Sequence, residues 1–251
     1  MPQTFGRSDD LEKAEFDHTH LHGARFRASD LSGVVMRGVD SHDMDIDDPW
    51  LVEGGNGNLV VNGVNVAPYV DAELNQRFPG RELRVADDPN GLRAAWAALE
   101  KTWAATYERA AGMPDGTVDV SVGGEWSFVQ TLRHLILATD MWLGKAVLER
   151  EQPFHPLGLI DLDSADEVQK SIFTAQTPSF AEVLAARADR VGMVRDFLAA
   201  VTAEQLTEKR KNPHAPEYAE RVIDCLHTII EEEWEHHRYA VRDLDAIAAA
   251  T

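Results

Sequence analysis

The chain has 251 residues, 43 of them acidic against 24 basic, with a formal net charge of −19 and a pI near 4.8. This balance argues against binding nucleic acid or an anionic membrane through a general basic surface, because phosphate contacts need clustered Lys and Arg. The single cysteine, Cys225, rules out an intrachain disulfide, and neither a secretory leader nor an apolar run long enough to cross a membrane is present, so a soluble, cytoplasmic protein is expected.

In residues 1–50, Phe16, Leu21, Phe26, Leu31 and Met36 recur every five positions, and the smaller Ala14, Thr19, Ala24, Ser29 and Val34 stand two before them. The spacing resembles a pentapeptide repeat, whose tandem copies imply a right-handed β-helix with the apolar and small residues facing its axis. Five copies make little more than one coil, too few to be stable alone. An irregular loop with a chance period is the alternative. His18, His20 and His22 alternate within this segment and are read as incidental. Asp40 to Asp48 is acidic and breaks the register, as an exposed loop would. The β-rich run Leu59 to Val66, interrupted by Asn62-Gly63, predicts a short hairpin or lead-in strand. Residues 1–70 are thus expected to form a small repeat-like and β extension, and residues 71–251 a helical domain.

Tyr69 to Leu83 predicts a short helix and a connection. After Asp87-Asp88-Pro89-Asn90-Gly91, the stripe Leu92, Trp96, Leu99, Trp103 and Tyr107 predicts the first long helix, to Ala111. Val118 to Gly124 is turn-rich, with room for a short strand. A second helix is expected from Ser127 to about Glu149, with His134 in a stretch that is apolar round most of its circumference. Periodicity leaves the direction of His134 open, and a lone histidine there is more often a satisfied core residue than a ligand. The proline-bearing connection from Gln152 to Pro178 is long for a bundle and suits a rim or lid. Ser179 with Glu182 forms a capping box opening a third helix to about Ala200, and Thr202 with Gln205 repeats the signal. Lys209-Arg210-Lys211 reads as a solvated charge run. Two Pro-containing breaks then lead to the last helix.

In that helix Val222, Leu226, Ile229 and Ile230 lead into Glu231-Glu232-Glu233-Trp234-Glu235-His236-His237, and Ala240, Val241, Leu244 and Ile247 leave it. The apolar stripe, continued through the middle, lands on Glu233 and His237, which are four apart and so stand one above the other. Burying them unpaired would cost several kcal/mol, roughly 2–7 for a polar group, so they need partners or a metal. Glu232 and His236 have the same spacing but point about 100° away. They read as a solvated or supporting face, with Glu231 and Glu235 beside them. Cys225 reads as a packed thiol rather than a nucleophile.

Four amphipathic helices with one long crossover, a His on the second and an acid-x-x-x-His pair on the last, resemble the DinB-like (YfiT-like) family of metal-binding four-helix bundles. The resemblance runs from about Leu92 to Ala249 and rests on Trp126-Ser127, His134-Leu135 with Trp142 beyond it, and Glu233-Trp234-Glu235-His236-His237-Arg238. It implies a mainly α, up-down bundle binding a divalent metal. Members usually use three histidines, one from the second helix and two, four apart, from the last. Carried over by position, the ligands are His134, Glu233 and His237, with Glu233 standing where the family more often has His. Such a set suits zinc, and the carboxylate makes nickel, manganese or iron acceptable as well. The resemblance further implies a thiol S-transferase that activates a low-molecular-weight thiol such as mycothiol against an electrophilic substrate. The alternatives are a metal-dependent hydrolase, with Glu232 or His236 as catalytic proton acceptor, and a non-catalytic metal-binding bundle acting in an interaction. A homodimer is a further partner to test.

Overall fold

Capping residues and turn dipeptides set the limits of most elements. The computed structural model describes residues 4–6, 8–52, 57–160 and 170–250. Backbone contacts divide the chain into two units, Met1–Asp47 and Asp48–Thr251. The lead-in hairpin therefore groups with the helices, whereas the sequence reading put the boundary near residue 70.

Within the first unit, turns recur every ten residues. Ala14, Ala24 and Val34 N–H donate to the carbonyls of Leu11, Leu21 and Leu31 at 3.0, 2.9 and 3.1 Å. The third residue of each turn has positive φ: Lys13 at 62°, Gly23 at 74° and Gly33 at 74°, the geometry of a type II turn. These turns recur at twice the five-residue spacing of the apolar row. The row Phe16, Leu21, Phe26, Leu31 and Met36 is not buried, however. These side chains are 46–61% exposed. An inward row in a β-helix needs coils stacked above and below, and so short a segment supplies none.

In the second unit, β1 (Val60–Val61) and β2 (Val64–Asn65) pair antiparallel around Asn62-Gly63, whose φ values of 51° and 83° fit the two-residue hairpin turn. Helix α1 (Ala67–Arg77) and a 3₁₀ segment (Arg81–Val85) lead to α2 (Pro89–Ala111), opened by Asp88, which accepts from Asn90 and Gly91 N–H. The link expected to hold a short strand instead carries a 3₁₀ turn, Thr117–Asp119. Helix α3 (Phe128–Thr139) starts at a capping box of Ser127 and Gln130, then widens into a π-helical stretch, Asp140–Val147. Helix α4 (Phe180–Ala200) opens on the expected Ser179–Glu182 box, and α5 (Ala203–Leu206) on Thr202–Gln205. Strands β3 (Lys209–Lys211) and β4 (Ala219–Arg221) pair antiparallel before α6 (Val222–Ala250). The centre of the proposed lid, residues 161–169, lies outside the described residues.

Helices α2, α3, α4 and α6 form the four-helix bundle. Both α2 and α3 pack on α4 and on α6, so α4 and α6 face each other across the bundle's middle. Leu92, Leu99, Leu132, Leu135, Ile136, Val183, Leu198, Leu226, Ile229 and Leu244 fill the interior. Fully burying such a side chain contributes roughly 1.5–3 kcal/mol, so the apolar stripes, rather than helix propensity, hold the bundle together. Among the described residues no helix is long and apolar enough to cross a membrane.

Candidate metal centre

The acidic run of α6 sends its side chains in three directions, because successive residues turn about 100° on a helix. Glu233 points to the bundle's middle and is 1% exposed. There Arg187 of α4 reaches across and Nη2 donates to both carboxylate oxygens at 2.8 Å. Burial opposes both charges, and the attraction between them keeps the Arg187 guanidinium protonated above its ordinary range. His237, one turn on, is also buried. His237 Nε2 and the Thr106 hydroxyl are hydrogen-bonded at 2.8 Å, and the same hydroxyl lies 3.2 Å from the Thr102 carbonyl. Trp103 and Phe78 meet the ring edge-on at 5.0 and 5.8 Å, and burial pushes its pKa down to about 4.

A second direction is taken by Glu231 and Glu235, expected on a solvated face. Arg84 Nε donates to Glu231 at 3.1 Å, Arg238 donates to Glu235 at 2.8 Å, and Arg81 Nη2 lies 3.6 Å from Glu235. Arg81 and Arg84 also share Asp71 of α1, each at 2.7 Å. Both arginines are buried. The segment before the bundle thus covers this flank of α6, which is why the carboxylates there are not simply solvated.

Glu232 and His236 take the third direction, toward α3. His134 Nε2 lies 3.2 Å and His236 Nδ1 3.3 Å from Glu232 Oε2. The two imidazoles stack at 4.6 Å, and Trp126, just before α3, lies 4.8 Å from the His134 ring and 6.2 Å from that of His236. Among the described residues, His134, Glu232 and His236 are the group of three His, Cys, Asp or Glu side chains whose ligand atoms all lie within 4.8 Å of one another. Tetrahedral zinc with bonds of about 2.0–2.1 Å needs ligand atoms about 3.3 Å apart, so a group spread over up to 4.8 Å would draw together to close on an ion. Burial pushes Glu232 toward the neutral form, but the His134 hydrogen bond and the imidazoles of His236 and His134 outweigh it and hold the carboxyl below its usual range. His236 Nδ1 also donates to the Glu232 carbonyl at 2.9 Å, which fixes the tautomer with its lone pair on Nε2. Two imidazoles and a carboxylate from two rigid helices fit a divalent cation.

Of the three ligands expected from sequence, His134 stands in this group, while Glu233 is engaged by Arg187 and His237 by Thr106. Glu232 and His236, expected as proton acceptors, stand with His134 in the cluster. His214, in the β3–β4 loop, was not anticipated. It faces Glu232 electrostatically and packs on Trp142 at 5.4 Å. Its setting, Asn212-Pro213-His214-Ala215-Pro216, signals only a turn. Trp126 stands over the imidazoles, and Trp234 is a core residue.

A family model of the DinB superfamily matches residues 98–240, from the middle of α2 into α6. The chain belongs to the DinB superfamily. This superfamily includes metal-binding proteins, and the matched span contains all three residues of the cluster. Comparison with curated proteins and with solved structures gives no match.

Proposed function

We propose that the protein is a divalent-metal-dependent thiol S-transferase in which His134, Glu232 and His236 hold the ion. The observation that carries this reading is the convergence of two imidazoles and an anionic carboxylate at the α3–α6 seam. A bound divalent cation with three protein ligands and an open position would lower the pKa of an incoming thiol, favouring its nucleophilic form. The chain's own residues prepare that position. Glu232 supplies the negative charge, and the Glu232 carbonyl orients His236. Trp126 shields one side of the two imidazoles from water. The Arg187–Glu233 pair fixes the rotation of α6 so that Glu232 and His236 face α3. Cys225 is buried and away from this seam, so the reacting thiol comes from outside, with a low-molecular-weight thiol such as mycothiol as donor and an electrophile as acceptor. In this reading Glu232 and His236 serve as ligands, which leaves the hydrolase alternative without the proton acceptors expected for it.

The test is the metal content of purified protein beside His134→Ala, Glu232→Ala, His236→Ala, Glu233→Ala and His237→Ala variants. Near one zinc, nickel, manganese or iron per wild-type chain, lost in the first three and retained by folded forms of the last two, is the expected result. Metal that survives Glu232→Ala and His236→Ala removes the proposal. A metal-loaded protein inert toward a panel of thiols and electrophiles would leave a binding protein and remove the transferase reading.

A further inference from the structure

The 3₁₀ segment Arg81–Val85 and the residue after it meet α6 along one stripe. His227 Nε2 is hydrogen-bonded to the Ala86 carbonyl at 2.8 Å, Arg84 Nε donates to Glu231 at 3.1 Å, and Arg81 Nη2 lies 3.6 Å from Glu235. The three α6 residues are four apart, so they share one face over two turns. Behind the arginines, α1 supplies Asp71, which accepts from each at 2.7 Å, and Asn75, which accepts at 2.8 and 3.3 Å. Gly80 seats the segment. Its φ is 99°, and a Cβ there would stand 2.7 Å from the Ala98 side chain of α2 and 3.7 Å from the Trp234 ring. Both arginines and their α1 partners lie ahead of residues 98–240, the span that the family model matches.

Stability alone does not account for this network. Arg81 and Arg84 are 2% and 4% exposed, and Glu235 is 4% exposed. Taking such charges out of water costs about what their attraction returns, and packed apolar groups in their place are often as stable or more so. A charged network does favour one register over its neighbours. Glu231 and Glu235 each precede a residue of the metal cluster, Glu232 and His236, so holding the first two fixes the rotation at which the second two meet α3. Side chains reach about 5–6 Å from a helix axis, so a rotation of roughly 10° moves a ligand atom by about 1 Å. Groups that converge on one ion need placement to about 0.5 Å.

We propose, resting on the metal-site reading above, that Arg81 and Arg84 are positioning residues for the cluster. Through Glu231 and Glu235 they hold α6 at the rotation that brings Glu232 and His236 onto His134.

The test measures zinc affinity of the full chain by chelator competition, beside melting of the metal-free protein. Arg84→Met with Glu231→Leu removes one charge of each sign, so net charge is unchanged and Asp71 keeps Arg81 as partner. Melting is expected to stay near that of wild type, while zinc binding weakens about tenfold, the lower end of what partners of ligands cost. Should that variant not fold, Arg84→Lys, which keeps the charge but loses the fork that reaches Glu231 and Asp71 together, should weaken zinc binding in the same direction. The same neutral exchange at Glu100 and Arg195, paired between α2 and α4, should leave affinity alone. Zinc binding that stays within about twofold of wild type, or tightens, in the folded Arg84 variants would overturn the proposal, as would an equal loss in the Glu100–Arg195 exchange. A wild-type chain that takes up no zinc, nickel, manganese or iron would overturn the metal-site reading itself, and the positioning role with it.

Discussion

Helix α6 carries two acid-x-x-x-His pairs one residue apart, and they have opposite fates. Glu233 and His237 face the bundle's middle, where Arg187 and Thr106 occupy them and almost no surface remains. Glu232 and His236 are partly exposed at the seam with α3, where a third candidate ligand, His134, meets them. Identical chemistry at identical spacing thus becomes a locked core element on one face and a candidate metal centre on the next. What differs is the partner across the gap: a guanidinium on α4 in the first case, an imidazole on α3 in the second. A carboxylate already bound by guanidinium has no charge left to offer an ion, whereas one bridged by two imidazoles has.

The largest effect should come from breaking the inner pair. Arg187→Ala leaves Glu233 buried without its cation and is expected to cost about 3–5 kcal/mol, read as a lower urea midpoint. Replacing both, as Arg187→Met with Glu233→Leu, should restore most of that loss, since two packed apolar groups need no counterion. A single Arg187→Ala variant as stable as wild type would mean that Glu233 is not sealed in the core.

The inner histidine gives the next effect, with a sign set by its burial. His237 titrates near 4 in the fold against an ordinary 6.5, so the unfolded chain takes up the proton first as pH falls. Its contribution is complete above pH 6.5 and is lost as pH falls toward 4, amounting to about 3 kcal/mol over that window. Urea titrations in chelator, with His236→Ala as background to remove the outer site, should show this slope. His237→Gln on that background should flatten it. Parallel pH profiles for the two would place His237 in contact with water.

Much of this was legible in the sequence, and the limit is instructive. Ser127, Ser179 and Thr202 marked helix starts because a cap is a local interaction between neighbours in the chain. His134 and the acid-x-x-x-His spacing marked the relevant helices. The apolar stripe also ran through Glu233 and His237, and both are indeed buried. Burial, however, is not ligation. The residue that decides between the two pairs is Arg187, 46 positions away in a helix whose own pattern does not announce an inward cation. The same holds for Arg81 and Arg84, which turn Glu231 and Glu235 into a buried ion network. Tertiary partners of charged residues leave no periodic trace, so the sequence located the helix and left the choice of face open.

The outer pair should respond in the opposite way to the inner one. Glu232→Gln removes a partly exposed carboxylate and keeps a hydrogen-bonding group beside His134, so metal-free stability should fall by only about 1 kcal/mol. Metal affinity should fall by more than about a hundredfold, beyond what a supporting residue costs. Calorimetric titration with zinc, beside melting in chelator, measures both. A variant that loses stability but keeps affinity would interchange the roles of the two faces.

A change in reactivity rather than in stability concerns the same inner stripe two turns earlier. Cys225 is fully buried, and burial, with Glu220 and Asp224 adding to it, pushes its thiol up to about 12. At pH 8 roughly one thiol in ten thousand is then ionised, so alkylation of the native chain should be slower than that of a free thiol by at least a thousandfold. Iodoacetamide labelling followed by intact mass measures the rate, and denaturant should restore it. Rapid native labelling would mean that the inner face of α6 opens near Cys225. The seal that separates the two acid-x-x-x-His pairs would then end short of the first turns of the helix, and Arg187 would be holding the core face closed only locally.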